Sequence, residues 1–281
     1  MDGSARAPAA GTVLNALATG HGSAFAIDEY VAATVSLDGT GEVSGEVAGE
    51  PDADTTLVEA CVRAVVDAYG DGEGGHVRTE TEVPMAGGLK SSSAAANATV
   101  LATLDALDAD IGREAACRVG VDAAREAGVT ITGAFDDASA SMLGGVTVTD
   151  NTADELLDRS ALHREVAVFV PDERAYSADA DVDRCERVAP TARVVEELAL
   201  DGRYGEAMTV NGFAFCAALE FDPTPMVDAL PAVDGVSLSG TGPSYVAIGS
   251  AEAVERTHEH WGDYEGTTWL TTTQNEGART T

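Results

Sequence analysis

Polar and apolar residues alternate along several stretches of the chain, which is the pattern of strands with one buried face. Residues 5–37 alternate small and β-branched residues with glycine breaks, which also predicts strands, here joined by tight turns. Residues 76–83 show the polar–apolar alternation and lead into Pro84. The first part of the chain is therefore expected to contain a sheet.

Apolar residues recur every three or four positions in three other stretches, which predicts helices with one buried face. These stretches are residues 57–69, residues 94–104 and residues 112–127. Gly128 follows the third stretch and is a suitable helix stop. On the second helix, Ala94, Ala98, Leu101 and Leu104 are expected to face inward.

The pattern changes after residue 150. Residues 151–164 are polar and are interpreted as a connection, so a domain boundary is placed there, between residues 1–150 and residues 151–281. Beyond it, strands are predicted at 165–171, 236–239, 245–249 and 267–273, and helices at 187–200, 204–219, 226–230 and 251–260. This order suits an antiparallel sheet covered on one face, and residues 274–281 are expected to be a frayed tail.

The charge of the chain excludes some partners. Its 48 acidic and 16 basic residues give a net charge of −32, without the basic clusters that nucleic acids or anionic membranes require. The acidic residues are scattered, and arginine replaces nearly every lysine, which indicates adaptation to very high salt. At 1 M salt the Debye length is roughly 3 Å, so the repulsion within such a surface is largely screened.

The four cysteines are far apart and form no C-x-x-C pair, so reduced thiols are expected rather than a zinc or redox site. No signal-peptide pattern and no long apolar run are present, which favours a cytoplasmic protein.

Residues 84–97 place two glycines, a lysine and three serines directly before an alanine-rich helix. Backbone N–H groups and the positive end of a helix dipole would converge there, as phosphate binding requires. An ordinary turn has the same composition, but Lys90 is the only lysine in the chain and favours a chemical role. The segment differs from a Walker A loop, because Leu89 stands where that loop has a glycine.

Four further polar residues have a candidate chemical role. Asp136 and Asp137 stand between small and apolar residues, so burial is expected, although either one could simply cap a turn. Glu126 falls at the edge of the buried face of its helix, as a boundary residue or a ligand. His21 lies between two glycines, where a turn is as plausible as a ligand role.

Three glycine-rich segments, at residues 11–27, 84–98 and 237–249, together resemble the GHMP superfamily of galactokinase, homoserine, mevalonate and phosphomevalonate kinases. The middle motif of that family, Pro-x-x-x-Gly-Leu-x-Ser-Ser, is matched by Pro84, Gly88, Leu89, Ser91 and Ser92. The resemblance implies an α+β, two-lobed GHMP kinase fold. Its N-terminal mixed β/α lobe would resemble a ribosomal protein S5 domain 2-like fold, and its C-terminal lobe a ferredoxin-like α/β sandwich.

The resemblance also implies ATP and Mg²⁺. The predicted ATP-binding residues are Pro84, Met85, Ala86, Gly87, Gly88, Leu89, Lys90, Ser91, Ser92, Ser93 and Ala94. In relatives such as mevalonate kinase, a metal-binding Glu lies eleven positions before an Asp, which precedes a Gly-Gly pair by seven. Glu126, Asp137 and Gly144 match this spacing, which selects Asp137 over Asp136. Ser92 or a neighbouring serine would then hold Mg²⁺ together with Glu126.

The implied catalytic residues are Asp137, Lys90 and Thr241. Asp137 would orient or deprotonate the acceptor hydroxyl, and Lys90 would neutralise either the transferred group or the substrate. The first motif lacks the lysine of mevalonate kinase relatives and has Thr12 near that position. The substrate residues are expected to be Asn15, His21, Asp137, Gly240 and Gly242.

Within the superfamily, residues 15–25, 87–94 and 132–137 look like the archaeal type of shikimate kinase, which phosphorylates the 3-hydroxyl of shikimate on the route to chorismate and the aromatic amino acids. Two alternatives stay open. One is another GHMP kinase such as homoserine kinase, whose relatives often have Asn at the position of Asp137. The other is a noncatalytic nucleotide or metabolite binder. Either a monomer or a homodimer is compatible with the sequence.

Overall fold

The computed structural model describes residues 1–83, 87–130, 133–172 and 180–281. Two long antiparallel strands, β1 (Asp2–Leu14) and β2 (His21–Asp38), form the centre of the first sheet, as the alternation predicts. The other edge of β2 pairs with β4 (Gly74–Thr81) along its second half and with β5 (Val146–Asp150) along its first. Because β2 starts at the Asn15–Gly20 connection, its first residues lie close to the site described below.

Three further short strands extend this sheet and, like β5, lie where the sequence predicted none. They are β3 (Val43–Val47), parallel to β4; β6 (Glu155–Ser160), antiparallel to β5; and β11 (Arg279–Thr280), antiparallel to β1. Residues 151–164 are thus not only a connection. The prediction of a frayed tail is also wrong, since Ala278 is fully buried and β11 pairs with β1 near the start of the chain. The division at residue 150 stays a prediction, and β6 and β11 belong to the first sheet.

Three helices pack against the first sheet: α1 (Thr56–Tyr69), α2 (Ser91–Ala106) and α4 (Phe135–Leu143). A fourth helix, α3 (Arg113–Glu126), packs on these three helices. Helix α2 contacts β1, β2 and the other three helices, so it is buried on almost every side. The prediction of a single inward face for α2 is therefore wrong. The reason is its small side chains, which let neighbours approach closely; a Cβ on Gly3 of β1 would come within 2.1 Å of the Ala102 carbonyl.

The second sheet is four-stranded and wholly antiparallel, as predicted. Its order is β10 (Gly266–Thr272), β7 (Glu165–Pro171), β9 (Tyr245–Gly249) and β8 (Gly235–Leu238). The accompanying helices are α5 (Val182–Glu186), α6 (Ala189–Leu200), α7 (Tyr204–Leu219), α8 (Thr224–Ala229) and α9 (Ala251–Trp261). Trp261 of α9 and Phe215 of α7 are among the fully buried side chains of these helices.

Helices α6 and α7 contact β1, and this packing brings the turn between β8 and β9 to the N-terminal end of α2. The four cysteines are buried free thiols, as predicted. In the described ranges, every helix is too short or too polar to cross a membrane.

Candidate active site

The turn between β8 and β9 is bound directly to the loop that precedes α2. Ser239 Oγ donates to the Gly88 carbonyl at 2.9 Å, and Ser244 Oγ donates to the Gly87 carbonyl. Gly88 has φ +79°, and a Cβ there would come within 2.4 Å of the Ser239 carbonyl oxygen. Glycine is therefore required at residue 88 both for its backbone conformation and for the close approach of the turn.

The end of β1 is bound to the same turn. Thr12 Oγ1 accepts from Gly240 N at 2.8 Å, and Asn15 Nδ2 donates to the Gly240 carbonyl at 2.8 Å. Asn15 N in turn donates to Asn211 Oδ1 of α7 at 2.9 Å. The three glycine-rich segments that the sequence singled out thus meet at one place, and Thr12 acts there as an acceptor for the turn.

Lys90 lies at the start of α2 in a left-handed conformation, with φ 63°. Its Nζ is 2.9 Å from Asp137 Oδ1, and the two side chains are only 8% and 17% exposed. Asp137 Oδ1 is buried and makes no aligned hydrogen bond with the described residues, so its contact with Lys90 is an ion pair. The only lysine of the chain therefore pairs with the aspartate that the spacing argument selected.

Asp136 is buried beside this pair and is held by a different partner. Asn151 Nδ2 donates to Asp136 Oδ1 at 2.7 Å, and Asn151 Oδ1 accepts from Asp136 N at 3.1 Å. A Cβ on Gly22 would come within 2.4 Å of Asp136 Oδ2. Burial, and then the charge of Asp137, raise the pKa of Asp136 to about 7, while Lys90 and Asn151 oppose part of that rise.

A cavity of about 710 Å³, here called the main cavity, opens over these groups. It brings together most of the predicted site residues: Asn15, Gly88, Lys90, Ser91, Ser92, Ser93, Asp137, Gly240, Thr241 and Gly242. Leu89 and Ala94, both predicted to bind the cofactor, are instead buried in the core, and Gly87 is buried beneath the turn. Pro84, Met85 and Ala86 lie outside the described residues.

Two further predicted residues do not line the main cavity. His21 lines a second cavity of about 610 Å³, where its Nδ1 is 2.5 Å from Glu196 Oε1 and its Nε2 is 3.7 Å from Asp150 Oδ2. Glu126 is exposed at the C-terminal end of α3. The sequence did not indicate a role for Asn151, because nothing in its polar segment distinguishes it as the partner of a buried carboxyl group.

The chain resembles known kinases along its whole length. Residues 56–145 match the family described as GHMP kinases N terminal domain. A shikimate kinase of Halobacterium salinarum is 64% identical over 284 residues, covering 100% of both chains, and one of Methanosarcina mazei is 46% identical, covering 99% of this chain and 96% of the relative. The chain belongs to the archaeal shikimate kinases of the GHMP superfamily.

Solved structures agree with this family on the fold. A homoserine kinase of Cytophaga hutchinsonii superimposes with a TM-score of 0.79 at 18% identity, covering 100% of this chain and 97% of the other. A mevalonate kinase of Methanococcus jannaschii gives a TM-score of 0.80 at 13% identity, with 98% of each chain covered. The two-lobed GHMP kinase fold predicted from the glycine motifs is therefore confirmed.

The donor set of the main cavity can be tested against the Mg²⁺ that the family resemblance implies. Serine hydroxyls line the start of α2, and the described residues contain no cluster of three or more His, Cys, Asp or Glu side chains that could hold a metal ion by themselves. Mg²⁺ commonly keeps several waters and takes its remaining ligands from substrate phosphates and one or two protein oxygens. The site therefore fits Mg²⁺ that arrives with a nucleotide.

Proposed function

We propose that this kinase transfers the γ-phosphoryl group of ATP to the 3-hydroxyl of shikimate, giving shikimate 3-phosphate and ADP. The substrate assignment rests on the 64% identity, over the full length of both chains, to the shikimate kinase of Halobacterium salinarum. The observation that supports phosphoryl transfer is the buried Lys90–Asp137 pair at the N-terminal end of α2. Homoserine kinase is disfavoured as the activity, since the likeness to a solved homoserine kinase is 18% identical and concerns the fold.

ATP binds with its phosphates at the N-terminal end of α2. There the backbone of residues 87–93, the Ser91, Ser92 and Ser93 hydroxyls and the positive end of the helix dipole converge on the main cavity. The contacts of Ser239 and Ser244 with the loop keep it in place before the nucleotide arrives. Apolar side chains of Leu57, Val121 and Val129 line another part of the same cavity and suit the adenine ring.

Phosphoryl transfer requires alignment of the two reactants and neutralisation of charge more than covalent help from the protein. The Asp137 carboxylate accepts the hydrogen bond of the acceptor hydroxyl and so aims the hydroxyl oxygen at the γ-phosphorus. Lys90 is the last residue of the loop before α2, here called the phosphate loop (residues 87–90), and its Nζ contacts the Asp137 carboxylate, so its charge stabilises both Asp137 and the transferred group. The phosphate loop thus supplies the cation that the first motif lacks, while Thr12 holds Gly240.

Mg²⁺ would neutralise charge on the ATP phosphates, and Ser92 is the protein residue we assign to it. The role of Glu126 stays a prediction, because its exposed position at the end of α3 lies outside the wall of the main cavity. Thr241, in the turn between β8 and β9, lines the same cavity and is assigned to the transferred phosphoryl group.

The charge of −32 supports small-molecule partners rather than nucleic acid or an anionic membrane, and we assign the enzyme to the cytoplasm. The substrate assignment is tested by measuring ADP release with shikimate, homoserine and mevalonate in molar salt. The expected result is turnover of shikimate alone. Preferred turnover of homoserine or mevalonate would replace the substrate, and binding of ATP without turnover of any of the three would favour a noncatalytic binder.

A further inference from the structure

The second cavity lies beside the main cavity and has a distinct lining. Its walls come from the Asn15–Gly20 connection and the start of β2 on one side, and from α5 and α6 on the other. Leu17 lines both cavities. At about 610 Å³ the second cavity has the size of a small-molecule site.

One face of α6 supplies the charged groups of this cavity. Ala189, Arg193 and Glu196 are four and three residues apart, so they lie on the same side of the helix, and all three line the cavity. Glu196 contacts His21 at 2.5 Å rather than Arg193. The arginine is therefore not neutralised by its helical neighbour.

Arg193 is unusual in so acidic a chain because its guanidinium has no partner in the part of the chain that the structure describes. Other arginines nearby do have one: Arg184 pairs with Glu220 at 2.6 Å, and Arg203 pairs with Glu206. Arg187 also has no partner among the described residues, but it does not line the cavity. An exposed, unpaired guanidinium in a cavity is suited to bind a planar carboxylate through two parallel hydrogen bonds.

The proposed substrate needs a positively charged group that binds its carboxylate. Shikimate carries a carboxylate on a hydroxylated ring, and Lys90, the only cation among the described residues of the main cavity, is already paired with Asp137. The second cavity also contains oxygen atoms that can accept hydrogen bonds from the ring hydroxyls, on Thr19, Glu186 and Glu196. Its acidic groups oppose an anion weakly in molar salt, because the Debye length there is roughly 3 Å.

The second cavity is also close to the reacting groups. Gly22 follows His21 directly, and its backbone lies against the Asp136 side chain, next to Asp137. We propose that Arg193 binds the carboxylate of the substrate, whose hydroxylated ring extends past Leu17 and presents one hydroxyl to Asp137. This inference rests on the proposed function and gives His21 its place, as the group that holds Glu196 away from Arg193.

The test compares shikimate with its uncharged methyl ester in the wild type, Arg193→Gln and Arg193→Lys. Arg193→Gln should raise KM for shikimate roughly ten- to a hundredfold, as expected for loss of a charged hydrogen bond. It should leave KM for ATP and kcat/KM for the ester unchanged. Arg193→Lys should recover part of the loss, and Arg187→Gln, the matched unpaired arginine outside the cavity, should resemble the wild type.

Equal losses for acid and ester, no loss at all, or the same loss in Arg187→Gln would overturn the inference. Equilibrium binding of shikimate, measured without ATP, separates this inference from the proposed function. Binding that is lost in Arg193→Gln, in an enzyme that does not phosphorylate shikimate, would support the carboxylate site and refute the reaction. Failure of the wild type to bind shikimate would refute both.

Discussion

The Lys90–Asp137 pair and the Arg78–Glu46 pair join the same kinds of charge in opposite surroundings. Lys90 and Asp137 are 8% and 17% exposed, whereas Arg78 and Glu46 are 50% and 46% exposed. Water and salt screen the second pair and reach the first only through the mouth of the main cavity. We therefore assign a role in phosphoryl transfer to the shielded pair, and a role in keeping the protein soluble at high salt to the exposed charges.

The two surroundings also differ in what happens when one partner is removed. An unpaired charge in a poorly solvated site is costly, so the shielded pair is sensitive to substitution at either end. An exposed pair between strands β3 and β4 contributes little, because each side chain can return to water. Substitutions, salt and pH each probe this contrast.

Asp137→Asn should lower kcat for shikimate by about 10²- to 10⁴-fold, because the amide has lost the charge that accepts the hydroxyl hydrogen bond. The KM for ATP should change little, since the proposed site of the ATP phosphates is the loop before α2. Asp136→Asn is the matched control and should retain much of the activity. A dead Asp136→Asn beside a near-normal Asp137→Asn would show that the spacing argument selected the wrong aspartate.

Dialysis from multimolar to low salt should unfold the protein, because the repulsion behind its net charge of −32 is then no longer screened. Circular dichroism melts in the two conditions measure the effect. A melting temperature that does not change with salt would contradict the proposed adaptation.

Asp136 should make stability fall as pH rises. Its pKa is raised from 3.8 in the unfolded chain to about 7 in the fold, so between these values only the folded chain holds the proton. The wild type should therefore lose stability relative to Asp136→Asn from about pH 4 to pH 7, and the difference should level off above pH 7. Its expected size is about 1–4 kcal/mol.

The measurement for Asp136 is chemical denaturation of both proteins in constant molar salt at several pH values. Taking the difference between the two proteins removes the contribution of the many other carboxylates. A difference that does not depend on pH would show that Asp136 is already ionised in the fold.

Arg78→Gln should give the smallest effect, with a loss of unfolding free energy below about 1 kcal/mol in moderate salt and no measurable loss in molar salt. Thermal melts at two salt concentrations measure it. A loss that persists in molar salt would mean that the exposed pair is not screened as its surroundings indicate.

The sequence predicted best where local chemistry is decisive. The glycines at residues 88 and 240 and the solitary Lys90 located the site, because only close backbone contacts and a special charge explain them. The main strands β1, β2 and β4 followed from alternation, and helices α1 and α3 from apolar spacing. These features depend on residues that are near one another in the chain.

The features that the sequence did not predict depend on distant partners. The short strand β11 is defined by its pairing with β1, about 275 residues earlier, and its own residues carry no strand signal. The all-round burial of α2 is hidden by alanines and threonines, which are not distinctive in either environment. The His21–Glu196 contact and the Asn151–Asp136 bonds likewise join segments whose proximity only the folded chain provides.

The central claim is that the shielded Lys90–Asp137 pair directs phosphoryl transfer to one hydroxyl of shikimate. Nuclear magnetic resonance of the products formed from ATP, Mg²⁺ and shikimate in molar salt tests it directly. The expected product is one phosphomonoester, with its phosphorus coupled to the proton on ring carbon 3. A phosphate on another ring hydroxyl, or release of inorganic phosphate alone, would contradict it.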